Sequence, residues 1–90
     1  MGTALLTIKI MPDGVEADLE AIKESAKNAV EEGKGKNIKF DEEPVAFGLK
    51  AIKLFFDLDE AEPLDPIEES LNKLENVSSA QVIDMRRAIE

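Results

Sequence analysis

The chain predicts an α+β sandwich, with a four-stranded antiparallel sheet carrying two helices on one face, in the order βαββαβ. Three observations lead there. Four segments alternate apolar and polar residues as strands do, and two repeat apolar residues at helical spacing. Each helix has one apolar stripe and each strand about one apolar face, so the helices cover one side of the sheet and the other stays open. At 90 residues with 43% hydrophobic content, the chain suits one core and one domain spanning residues 1–90.

Residues 4–11 open the pattern, with Ala4, Leu6, Ile8 and Ile10 on one face and Leu5, Thr7, Lys9 and Met11 on the other. Pro12, Asp13 and Gly14 make a turn. A helix over 18–32 follows: Asp18 is its N-cap, Leu19, Ile22, Ala26, Ala29 and Val30 its stripe, and Gly33 its C-terminal cap. Residues 37–41 alternate again, and 49–58 give the longest strand signal, with Ile52, Leu54, Phe56 and Leu58 sharing a face. An acidic loop over 57–63 leads to Asp65, read as the N-cap of a second helix, with Pro66 at its first position and Glu68 completing a capping box. Ile67, Ser70, Leu71 and Leu74 form that helix's inner stripe, and residues 77–79 end it. The last strand runs over 80–87. Ala80 and Val82 do not share parity with Met85, which predicts a bulge near Ile83 and Asp84.

Composition excludes several function classes. Asp and Glu number 20 against 11 Lys and Arg, so most of the surface repels a phosphate backbone and nucleic-acid binding is not expected. An RNA-binding sheet of this topology needs aromatics on its open face within a basic surround. Here Tyr and Trp are absent, and Phe55, on the face opposite Phe56, has no such neighbourhood. The apolar start is short, alternating and interrupted by Pro12, so neither a signal peptide nor a membrane span is expected, and the address is cytoplasmic.

Without His or Cys, the usual nucleophile and base pairs and the commonest zinc sites cannot be built. Local structure accounts for Ser25, Ser70, Ser78 and Ser79. The run Gly33-Lys34-Gly35-Lys36 is too short to cradle phosphates and reads as a basic, flexible turn, so tight nucleotide binding is not expected. Asp57, Asp59, Glu60 and Glu62 lack the glycine and terminal bidentate Glu of a calcium loop and read as a solvated acidic segment. No metal and no cofactor is expected.

Two places stay unexplained by the fold: Pro44-Val45-Ala46-Phe47-Gly48-Leu49, which puts one of only four aromatics in a turn, and Val82-Ile83-Asp84-Met85-Arg86-Arg87 at the end. A phenylalanine so placed either folds back on its own sheet or inserts into a partner. A terminal arginine pair is by itself a solvated end. With the acidic segment and helix between them, and the closing run from Val77 to Arg87, these stretches resemble the archaeal translation elongation factor 1-beta family, guanine nucleotide exchange factors for elongation factor 1-alpha. The resemblance runs from Thr7-Ile8-Lys9-Ile10-Met11-Pro12 to the double arginine.

It implies a ferredoxin-like sandwich that carries out no bond chemistry, is a monomer when free, and has the GTPase elongation factor 1-alpha as partner. It also implies that Phe47, beside Gly48, inserts into a pocket of the GTPase, and that a basic residue at Arg87, with Arg86 adjacent, enters its magnesium site. The family's eukaryotic relatives have lysine there, so the choice between Arg86 and Arg87 stays open. The alternative is a small-molecule-binding regulatory module of the same fold, motivated by the open sheet face and the repeated half-pattern.

Overall fold

The computed structural model describes residues 2–45 and 48–87. Its elements are β1 (Thr3–Pro12), α1 (Leu19–Glu32), β2 (Lys36–Pro44), β3 (Lys50–Asp59), α2 (Asp65–Asn72) and β4 (Val77–Arg87). The four strands form one sheet in the order β2-β3-β1-β4, every neighbouring pair antiparallel. This is the ferredoxin-like arrangement the alternation predicts.

The core is the apolar face of the central strands closed by the two helix stripes. Leu6, Ile8 and Ile10 of β1 and Ile52, Leu54, Phe56 and Leu58 of β3 are buried against Ile22, Ala26 and Val30 of α1 and Ile67 and Leu71 of α2. Phe55 points to the opposite face, paired with Thr7 and Lys39, and is half-buried. Burial of an aliphatic side chain is worth about 1.5–3 kcal/mol. The open face has no comparable store, which is why one side of the sheet decides stability.

Asp18 caps α1 as expected: its carboxylate accepts the N–H groups of Glu20 and Ala21 at 3.1 and 3.3 Å. Gly33 caps the other end of α1, as expected, though it is not the left-handed residue there. Gly33 occupies the cap at φ −84°, and Lys34 takes the left-handed conformation at φ 71°. Lys34 N–H reaches the Glu31 carbonyl at 3.0 Å, and Gly35 N–H reaches that of Val30 at 2.8 Å, the paired bonds of a Schellman end. Gly33 is needed instead for space, because a β-carbon there would run into Ile67. The Gly-Lys-Gly-Lys run is thus a packed helix end.

Four expectations about the second half are corrected. The cap of α2 is Leu64, already helical in backbone and without a side-chain bond, and its carbonyl accepts Ile67 N–H at 3.0 Å and Glu68 N–H at 3.1 Å. Leu64 packs against the core and takes the cap position, which makes Asp65 the first helical residue and leaves its carboxylate inside the first turn with no capping box. Ser70 is exposed rather than part of the inner stripe. β4 begins at Val77 rather than at residue 80, since Val77 pairs with Pro12 across the sheet. β3 likewise continues to Asp59, so the acidic loop is shorter than its composition suggests.

The bulge falls where parity predicts it. Thr7 pairs with Asp84 and Ile8 with Val82, which leaves Ile83 as the extra residue. Asn72, at the end of α2, fastens this edge strand. Its side-chain amide donates to the Ala80 carbonyl at 3.0 Å and accepts the Ala80 N–H at 3.0 Å, standing in for a neighbouring strand. Among the described residues, no helix is long and apolar enough to cross a membrane.

Candidate functional site

The two stretches singled out in the sequence lie at opposite ends of the sheet. The loop between β2 and β3 is closed by a hydrogen bond from Val45 N–H to the Leu49 carbonyl at 2.8 Å. Just outside it, Pro44 pairs with Lys50. Phe47 and its neighbour Ala46 lie outside the described residues. Gly48 is exposed and takes φ 78°, where an L side chain is strained. The nearest atom to a β-carbon placed there is Val15 Cγ1 at 3.8 Å, an ordinary contact, so conformation and not space requires the glycine.

Val15 itself is 65% exposed, in the turn between β1 and α1. The same turn is tied down by Asp13 N–H, which donates to the Asn76 carbonyl at 2.9 Å. An exposed valine beside the Gly48 loop extends the apolar character of this end. Sequence reasoning passed over it because an apolar residue after Pro-Asp-Gly carries no periodic signal.

At the far end β4 finishes with Arg86 and Arg87, which leave the strand on opposite sides. Arg86 stands opposite Leu5 on the open face, and its Nε lies 3.0 Å from an Asp84 carboxylate oxygen. Arg87 stands opposite Ala4 on the helix side, and its Nε lies 2.6 Å from Glu60 Oε2. Both arginine side chains are more than three-quarters exposed. Exposed pairs of this kind add little to stability, because water and salt screen them and the long side chains lose freedom. Both guanidinium groups can therefore be surrendered to a partner at small cost.

The acidic residues next to them do not converge. Asp57 accepts from the Asn37 amide at 2.6 Å, Asp59 accepts the Ala61 N–H at 2.9 Å, Glu60 holds Arg87, and Glu62 lies 3.5 Å from Lys34. Among the described residues, no group of three or more carboxylates is placed to hold a metal ion.

Toward the Gly48 end, two further ion pairs tie β2 to α1 and β3. Lys23 on α1 donates to Glu42 on β2 at 2.6 Å, and Lys53 lies 2.9 Å from Glu43. The hydrogen bond from Lys23 holds the Glu42 carboxyl below its usual range, and Lys53 does the same for Glu43. The bond to Glu42, set against partial burial, raises Lys23. These pairs brace β2 against its neighbours.

These features define a ferredoxin-like α+β sandwich whose chemically distinctive residues sit at its two ends. The EF-1 guanine nucleotide exchange domain matches residues 5–88. Elongation factor 1-beta of Methanococcus maripaludis is 41% identical over 86 residues, covering 94% of this chain and 97% of the relative. The elongation factor 1-beta proteins of Methanothermobacter thermautotrophicus and Methanobrevibacter smithii are 42% and 40% identical over 88 residues, covering 97% of this chain and 98% of each relative. The chain belongs to the EF-1 guanine nucleotide exchange domain family.

Proposed function

We propose that this protein accelerates the release of GDP from elongation factor 1-alpha, with Phe47 as an apolar anchor and Arg87 as the cation that competes for the place of Mg²⁺. The family match over residues 5–88 is the observation that carries the reading. It is supported by a loop that needs glycine next to Phe47 and by an arginine held only by an exposed ion pair. The resemblance puts the basic residue at Arg87 with Arg86 adjacent, and the variants below distinguish the two.

GDP is held in a GTPase through its phosphates and a magnesium ion, so a guanidinium entering the metal's place weakens the phosphate contacts. The protein makes and breaks no bond. It binds the nucleotide-free state of its partner better than the GDP state, and that difference in affinity is the whole acceleration. The proposed roles divide the labour. β3 runs from Lys50, beside the Gly48 loop, to Asp59, beside Glu60, a span of about 30 Å at ~3.3 Å per residue. Phe47 and Arg87 therefore address two separate places on the GTPase, one to grip and one to act on the metal.

The test is stopped-flow release of a fluorescent GDP analogue from an archaeal elongation factor 1-alpha with substoichiometric protein. Acceleration with turnover is expected. Arg87→Ala lowers kcat at unchanged melting temperature, Phe47→Ala chiefly raises KM, and Arg86→Ala has the smaller effect. No acceleration of an active partner refutes the function. Acceleration that survives Phe47→Ala and Arg87→Ala refutes the site.

A further inference from the structure

Met85 has no part in that reading. The bulge at Ile83 turns it to the helix side of the sheet, opposite Leu6, yet it is 59% exposed. With Leu6, Leu58 and Leu64 it lines a groove of 560 Å³ whose charged lining is Asp59, Glu60 and Glu62 together with Arg86 and Arg87. The groove thus joins an apolar part to a lining of three carboxylates and two arginines, which turns clearly acidic once Arg87 leaves it, and it begins at the residue proposed to enter the GTPase.

In the free protein Glu60 is neutralised by Arg87 at 2.6 Å. Glu60 is also fixed from behind. Its N–H donates to the Gly2 carbonyl at 2.9 Å, and its carboxyl lies 2.7 Å from where a side chain on Gly2 would begin. Its backbone therefore stays with the β3 end when Arg87 moves away. Glu60 is then left on the groove rim without its cation, next to Asp59 and Glu62. A second acidic group or a phosphate would be repelled there, whereas a lysine or arginine would restore the lost pair.

We propose that this groove is a further contact with the GTPase, and that it takes a partner segment presenting an apolar side chain flanked by a lysine or arginine. The apolar group seats over Met85 and the cation replaces Arg87 on Glu60. The proposal rests on the exchange reading above. Arg87 and the incoming cation trade places, so entry of one and docking of the other favour each other.

The experiment uses the full chain and the same GTPase. Met85→Glu is expected to raise KM for the GDP-bound GTPase about tenfold, as loss of an apolar anchor does. The value of kcat and the melting temperature stay unchanged, because Met85 is exposed, and Met85→Leu restores the wild-type KM. Glu60→Gln is expected to weaken binding to nucleotide-free GTPase about threefold at low salt, and to do so in the Arg87→Ala background as well. An unchanged KM for Met85→Glu overturns the groove. Tighter binding by Glu60→Gln overturns the exchange of cations, since Glu60 would then only restrain Arg87. Failure of the wild-type protein to accelerate GDP release overturns the underlying reading, a result distinct from either.

Discussion

Replacing Gly48 with alanine places a β-carbon on a residue at φ 78°. The left-handed region costs an L residue about 1–2 kcal/mol. Alanine also stiffens the unfolded chain, which returns about 0.4–1 kcal/mol. Steric conflict adds nothing, because the nearest atom would be Val15 Cγ1 at 3.8 Å. The net loss is about 1 kcal/mol. With a urea slope of about 1–3 kcal/mol/M, the unfolding midpoint falls by ~0.3–1 M. If the loop relieves the strain by opening the Val45–Leu49 closure, the presenting form is depleted up to about fivefold, since 1.4 kcal/mol is tenfold. The value of kcat/KM for exchange falls in proportion. Gly48→Asn is the control, since asparagine tolerates this conformation, and it should lie close to wild type in both assays. Equal behaviour of the alanine and asparagine variants, or no change in either assay for alanine, refutes the argument that backbone conformation selects the glycine.

Two further outcomes follow from the packing and the charges. Gly33→Ala forces its β-carbon against Ile67, a residue that is 1% exposed, and should destabilise by about 1–3 kcal/mol, with the penalty vanishing in an Ile67→Ala background when the four urea curves are compared. Glu42 and Glu43 both titrate below their ordinary value of 4.5, so the stability they contribute is complete above that value and is lost as pH falls through their lowered folded values. Urea midpoints measured from pH 6 downward should drop below pH 4.5, and the drop should flatten in a Lys23→Met, Lys53→Met double variant.

The fold was legible because alternation and helical spacing are properties of the chain that survive into the structure. The parity conflict between Val82 and Met85 was enough to locate the bulge at Ile83. Boundaries set by tertiary contact were not legible. Leu64 opens α2 because it is held against the core, and Val77 joins β4 because Pro12 lies across from it. The Gly33 cap was legible, whereas the reason a glycine is needed there, the room taken by Ile67, was not. At the candidate site, the sequence could name Gly48 and the arginines by resemblance. It could not reveal that Arg86 and Arg87 leave the sheet on opposite sides, which depends on the register against Ala4 and Leu5. Val15 and Met85 were passed over for a related reason: whether an apolar side chain stays exposed depends on what other elements cover it.

β3 is paired to β1 over residues 52–59 and to β2 over residues 50–55 and at Asp57. That makes the molecule behave like a calliper with a fixed opening: its jaws are the Gly48 loop and the Arg87 terminus, and the beam between them does not stretch. A two-residue insertion in both β3 and its neighbours would widen the opening by about 7 Å at ~3.3 Å per residue while keeping every side chain on its own face. The core would tolerate such a change better than the gauge would. Substitutions along the open face leave the opening as it is, and length changes in the strands do not, so on the proposed reading strand length is the parameter that must match the GTPase surface.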